Sequence, residues 1–122
     1  MPQIYVEYSE NIKLVNFKEI LKRINENVAN IVGVPPNRCK GRLIKFNDFL
    51  IGDKEIVEEA FIFVQVGIQE TRSDDQKKQI GDAVLTILKE CALPKLTEQH
   101  LKCSPRVEVR EFDIYLFSDW ES

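Results

Sequence analysis

Proline at position 2 directly follows Met1 and directly precedes a stretch with strand-like alternation. Removal of Met1 turns Pro2 into a chain-terminal secondary amine, whose lone pair can take a proton from carbon or oxygen. A plainer reading stands beside it. Proline at position 2 is common, and at the first position of a strand it lacks only a ladder donor. The usual catalytic sets are missing from the rest of the chain. His100 is the only histidine, which excludes a metal site built on two, and in the polar TEQHLK stretch it reads as a surface residue. Cys39, Cys91 and Cys103 are an odd set without C-x-x-C spacing, so they indicate neither a zinc site nor a disulfide framework, but reduced thiols. There is no G-x-G-x-x-G and no P-loop. Carboxylates are plentiful, but no spacing singles out a working pair. Lys40, Arg42 and Lys45 gather positive charge, the pattern of a solvated strand edge.

The elements that would position these groups repeat once. Residues 3–8 alternate and are rich in strand formers, with Ile4, Val6 and Tyr8 on one face. A helix follows. Asn16 caps it and Glu19 stands where a capping box needs it. Phe17, Ile20, Leu21, Ile24, Val28, Ile31 and Val32 form its apolar stripe, Gly33 stops it, and Pro35-Pro36 forbids continuation. A second strand is expected over residues 41–49, then a turn at Gly52-Asp53. The order then recurs. Residues 60–69 carry Ala60, Ile62, Val64, Val66 and Ile68 on one face and Phe61 and Phe63 on the other, so both faces should be covered. Ser73 caps the next helix, with Asp74 and Asp75 at its positive end. Ile80, Ala83, Val84, Ile87, Leu88 and Cys91 form its stripe, and Pro94 ends or kinks it. Residues 95–103 add a short helical turn, and residues 106–112 a fourth strand.

The expected fold is therefore α/β in the α+β sense: a tandem β-α-β pseudo-repeat, giving a four-stranded sheet with two helices on one face. One domain over residues 1–122 is expected, with the first β-α-β at about 2–50, the second at about 58–113 and a tail at 114–122. A chain this short gains from association. The stretch FDIYLFSDW is too apolar to dangle in water and should pack over a neighbouring subunit or close a pocket.

Composition removes several function classes. Hydrophobic residues make up 43% and charged residues 30%, ordinary for a globular chain. The net charge of -3 disfavours a nucleic-acid binder. No apolar run approaches the roughly 20 residues of a membrane span. The opening MPQIYVEYSEN lacks the n- and h-regions of a signal peptide, so a cytoplasmic location is expected.

The opening MPQIYVEYSENI, the doubled β-α-β pattern and the stretch RSDDQKKQIGDAVLTILKE together resemble the tautomerase superfamily. Within it, the similarity is greatest to the 5-carboxymethyl-2-hydroxymuconate delta-isomerases, and it covers nearly the whole chain. Pro2, Val6, Glu7, Ser9, Asn11 and Ile12 carry the opening motif, and Arg72 the strand-to-helix junction. CKGRL, at residues 39–43, stands where that family has an arginine-rich segment, with Lys40 replacing the first arginine and Arg42 keeping the second. The resemblance implies a homotrimer with sites between subunits and no metal or organic cofactor. It implies that Pro2 moves a proton between carbons of an unsaturated 2-hydroxy or 2-oxo dicarboxylate from aromatic-compound breakdown. Lys40, Arg42 and Arg72 would bind substrate.

The chemistry is consistent with that implication. A general base must be neutral near the operating pH, whereas a terminal α-amine titrates near 7.7–8 and a secondary amine is more basic. One cation about 8 Å away, at an effective dielectric near 20, lowers its affinity for a proton by roughly 2 kcal/mol, or about 1.5 pKa units. Burial acts in the same direction. Each cation also has a structural alternative: Arg42 can pair with Glu7 across neighbouring strands, and Arg72 with Asp74 or Asp75. Lys40 binds a carboxylate only as a point charge. That lysine and the aromatic tail keep a phenylpyruvate-like enol open as substrate. A non-catalytic trimeric binding or scaffold protein with the same fold is the remaining alternative, favoured if Met1 stays and makes the Pro2 nitrogen an amide.

Overall fold

The computed structural model describes residues 2–53, 58–69 and 72–121. Strand β1 (Gln3–Ser9) leads to helix α1 (Phe17–Val32), a 3-10 turn (Pro36–Arg38) and strand β2 (Lys40–Phe46). Strands β3 (Glu59–Ala60) and β4 (Ile62–Ile68) precede helices α2 (Asp74–Cys91) and α3 (Leu93–Glu98) and strands β5 (Lys102–Cys103) and β6 (Arg106–Glu111). The helix ends follow local chemistry. Asn16 Oδ1 accepts from the Glu19 N–H at 3.1 Å, which is half of the expected capping box. Gly33, at φ 80°, takes the left-handed turn that stops α1, its N–H donating to Ala29 O. Ser73 and Gln76 form a complete reciprocal box at the start of α2.

The main sheet has the order β2-β1-β4-β6. β1 and β2 run parallel, as do β4 and β6, while β1 and β4 are antiparallel. Two β-α-β units thus lie side by side, joined through their first strands. Ile4, Val6, Ile62, Val64, Val66 and Ile68 turn to the helices and are almost wholly buried against Ile20, Ile24, Val28, Ile80, Val84 and Leu88. Each such aliphatic side chain contributes about 1.5–3 kcal/mol by leaving water. The opposite face, with Gln3, Tyr5, Glu7, Phe63 and Gln65, is only half-buried. No helix among the described residues is long and apolar enough to cross a membrane.

Three boundaries differ from the sequence expectation. β2 ends at Phe46 rather than at residue 49. The run at 60–69 divides into β3 and β4, because the ladder is interrupted at Phe61. Its N–H donates to the Ser9 hydroxyl at 3.0 Å instead of to a backbone carbonyl, while Ser9 N–H donates to Phe61 O. That side-chain substitution also satisfies Ser9, which is fully buried. Finally, the helical turn expected at 95–103 begins earlier, as α3, and is followed by β5, which pairs in parallel with β3 in a small second sheet.

The segment after β6 folds back over the half-buried face. Phe112 N–H donates to Ile68 O at 2.8 Å, and the Phe112 ring stacks on Tyr115 with centroids 4.5 Å apart. Gly67 makes room for this, since a Cβ there would run into the Phe112 ring. Gly67→Ala should therefore cost stability by overpacking, about 1–3 kcal/mol, and loosen the tail. Denaturant unfolding together with amide exchange at residues 112–120 checks this; an unchanged midpoint with a protected tail would refute the account.

Candidate functional site

Topology gathers the candidate residues at one end of the sheet. In β1 and β2, Gln3 lies opposite Lys40, and Gln3 also lies opposite Gly67 of β4. In β4 and β6, Ile68 lies opposite Glu111. The start of β1, the start of β2, the end of β4 and the end of β6 therefore share an edge. With strands about 4.8 Å apart, the backbones of Gln3 and Lys40 are about 5 Å apart. Pro2 is buried, and its carbonyl accepts from Lys40 N–H at 3.1 Å. Met1, on which a free Pro2 amine depends, lies outside the described residues.

Arg42 does not pair with Glu7, the cross-strand alternative. Tyr5, not Glu7, is its register partner. Its guanidinium lies over the Tyr5 ring, 4.4 Å from the centroid, and Nη1 donates to Gln3 Oε1 at 2.8 Å. Gln3 Nε2 in turn donates to the Tyr115 hydroxyl at 2.8 Å. Both ends of the Gln3 amide are thus used. The ring's quadrupole holds a cation over an aromatic face. Lys40 is exposed, and its Nζ donates to Asn37 O at 2.9 Å.

Arg72 holds the junction between β4 and α2. Its Nη2 donates to Val32 O at 2.9 Å, at the C-terminus of α1. That helix has no basic residue in its own last turn, so a cation from another element meets the negative end of its dipole. The Arg72 N–H donates to Glu111 Oε1 at 3.2 Å, and Lys77 Nζ reaches the same oxygen at 2.8 Å. The bond to Lys77 first, and the Arg72 N–H second, hold the Glu111 carboxyl below the usual carboxylate range. Lys77 is raised in return, chiefly by that bond.

The sign of the resulting pH dependence is definite. A lowered folded pKa contributes stability above the unfolded value, near 4.3 for glutamate, and loses it as pH falls through the folded value. Glu111→Gln should therefore be less stable than the parent at pH 6. The gap should narrow in acid, where the parent's own carboxylate protonates. Urea midpoints between pH 2.5 and 6 test this; a constant gap would refute it.

A groove of about 620 Å³ lies between α1 and β2, lined among others by Lys18, Lys22, Asn25, Cys39, Lys40 and Gly41. Of the candidate residues only Lys40 lines it. Burial pushes the adjacent Cys39 thiol up, with Lys40 pulling the other way. His100 is exposed, at φ 56°, in the turn after α3 and far along the sequence from this sheet end. No group of three His, Cys, Asp or Glu able to hold a metal occurs among the described residues. Sequence reasoning missed Gln3, Glu111 and Tyr115. Gln3 and Glu111 sit in alternating strands like any surface residue, so only the strand pairing reveals them. Tyr115 had a partial signal in the apolar tail.

The family model described as 5-carboxymethyl-2-hydroxymuconate isomerase matches residues 2–117. Among solved structures, a 5-carboxymethyl-2-hydroxymuconate isomerase from Deinococcus radiodurans R1 superposes with a TM-score of 0.84 at 20% identity, covering 97% of this chain and 90% of that one. A 5-carboxymethyl-2-hydroxymuconate delta-isomerase gives 0.81 at 11% identity, covering 99% and 89%. A fused 4-OT wild-type symmetric trimer gives 0.67 at 15% identity, covering 90% and 85%. No curated protein sequence matches significantly. The four-stranded mixed sheet with its helices is the tautomerase fold. With the family match spanning all but the ends of the chain, this protein belongs to the 5-carboxymethyl-2-hydroxymuconate isomerase family, isomerases built on that fold.

Proposed function

We propose that the chain, once freed of Met1, isomerises an unsaturated 2-hydroxy or 2-oxo dicarboxylate such as 5-carboxymethyl-2-hydroxymuconate, with Pro2 as general base and without a cofactor. The observation that carries this reading is the position of Pro2. It is buried at the head of β1, at the sheet end shared by Lys40, Gln3 and the β4–α2 junction bearing Arg72. In this reading neutral Pro2 takes a proton from the enol hydroxyl or from a carbon beside the carbonyl. Negative charge spreads through the conjugated system and is stabilised by a nearby cation. Protonated Pro2, or water, returns the proton at another carbon. The pyrrolidine ring restricts the direction of the lone pair.

Among the cations, Arg42 is best prepared to hold a carboxylate, because its planar fork is already held in place over Tyr5 and by Gln3. Lys40 contributes field. Arg72 serves first as the cation at the end of α1, and reaches substrate only from that position. A homotrimer fits the reading: a chain of this size leaves one sheet face half-buried, and Ile114, Leu116 and Trp120 are 83%, 88% and 92% exposed. The fused 4-OT relative is a trimer. A phenylpyruvate-like enol is the second reading, favoured by the stacked Phe112 and Tyr115 beside Gln3. Steady-state rates on a dicarboxylate and on an aryl enol, using protein verified by mass to lack Met1, decide between them. Turnover of neither substrate would leave the non-catalytic trimer.

A further inference from the structure

We propose that Gln3 is a positioning residue that couples closure of the C-terminal tail to the aim of the Arg42 guanidinium. This rests on Arg42 holding substrate, as proposed above. The geometry is a relay. Arg42 Nη1 donates to Gln3 Oε1 at 2.8 Å, and Gln3 Nε2 donates to the Tyr115 hydroxyl at 2.8 Å. The Tyr115 ring stacks on Phe112 at 4.5 Å and 7°, and Phe112 is seated in the space that Gly67 leaves open. Gln3 is the link that joins Arg42 to the tail.

An amide is the right group for this place. It presents an acceptor to the guanidinium and a donor to the phenol in one rigid plane. A carboxylate would neutralise Arg42, and an aliphatic side chain would take the partner from the Tyr115 hydroxyl and leave Arg42 Nη1 with only its longer contact to Lys40 O at 3.4 Å. With Oε1 holding Nη1 and the Tyr5 ring holding the guanidinium on one side, the remaining N–H groups of Arg42 have fewer directions to take. Loss of the tail contact frees the amide to rotate, and the restraint on Arg42 goes with it. The tail therefore acts on the cation without contacting substrate.

The test compares Gln3→Leu, Tyr115→Phe and the double variant in Met1-free protein. Tyr115→Phe keeps the ring stack and removes only the hydroxyl. Expected for the dicarboxylate is a rise in KM of about 3–10-fold for each single variant, the size of one net hydrogen bond, with kcat changed less than twofold. KM for an enol that carries no carboxylate, and so offers the fork nothing to hold, should stay within twofold. The double variant should be no worse than Gln3→Leu alone, since both cut one chain of contacts. A second measurement does not depend on activity. Amide exchange at residues 112–118 should quicken in Gln3→Leu, although the substitution lies in β1. Additive KM effects, equal effects on both substrates, or unchanged exchange would each overturn the relay. Absence of turnover in the parent would overturn the proposed reaction instead, leaving the exchange measurement to decide on the relay.

Discussion

Protein that keeps Met1 should have no isomerase activity above background, and the same chain without it should turn over a dicarboxylate enol. The expected difference is about 10²–10⁴-fold, the usual contribution of a positioned general base. The reason is elementary. An amide nitrogen shares its lone pair with the carbonyl and is not a base, whereas the free pyrrolidine nitrogen is. Intact mass gives the processing state, and optical ketonisation assays on the two forms give the rates. Pro2→Ala should lose less than full blockage, because a terminal alanine amine remains. It should still fall well below the parent, since a primary amine rotates freely and holds its lone pair less well. Equal rates for the two forms would remove Pro2 from the reaction. The pH profile carries its own sign: activity should rise with pH as the amine deprotonates, because only the neutral amine accepts a proton.

The second large effect should come from Arg42. Arg42→Ala removes the fork over Tyr5 and the bond to Gln3. A charge-assisted bond to a carboxylate is worth about 1.5–3 kcal/mol, so kcat/KM for a dicarboxylate should fall roughly 10–150-fold. Arg42→Lys separates charge from shape. If the planar fork matters, lysine recovers little, because it offers a point charge that neither stacks in the same way nor bonds bidentately. If only field matters, lysine recovers most of the rate. Thermal unfolding of both variants checks that the fold survives. An unchanged kcat/KM in Arg42→Ala would show that the substrate carboxylates lie elsewhere, and would turn attention to Lys40 and Arg72.

Arg72 illustrates how a position legible from its motif can take a structural role that the motif does not reveal. Its place at the strand-to-helix junction is legible in TRSDDQK. Its bond to the last carbonyl of α1, and the Glu111–Lys77 pair beneath it, are not. These partners come from α1, β6 and α2, separated by tens of residues, and no local pattern announces them. The partners of the cations show the same division. Glu7 lies on a neighbouring strand and is a reasonable partner for Arg42 on charge alone. Register decides otherwise, placing Tyr5 opposite Arg42 and Gln3 within reach.

What the amino-acid order settled is what depends on neighbours within a few positions. The apolar stripes of α1 and α2, the caps at Asn16 and Ser73, the stop at Gly33 and the alternation of β1, β4 and β6 all follow from periods of 3.6 or 2 and from turn chemistry. So does the presence of a proline at the head of a strand. Tertiary structure decided the rest. It set the antiparallel pairing of β1 with β4, the break at Phe61 made by the Ser9 hydroxyl, and the meeting of Gln3, Arg42 and Tyr115. The physical reason is that strand register and tail packing are chosen by the whole core at once. Shifting a strand by one residue preserves its local pattern but exchanges its two faces, so only the assembled sheet can say which side chains meet.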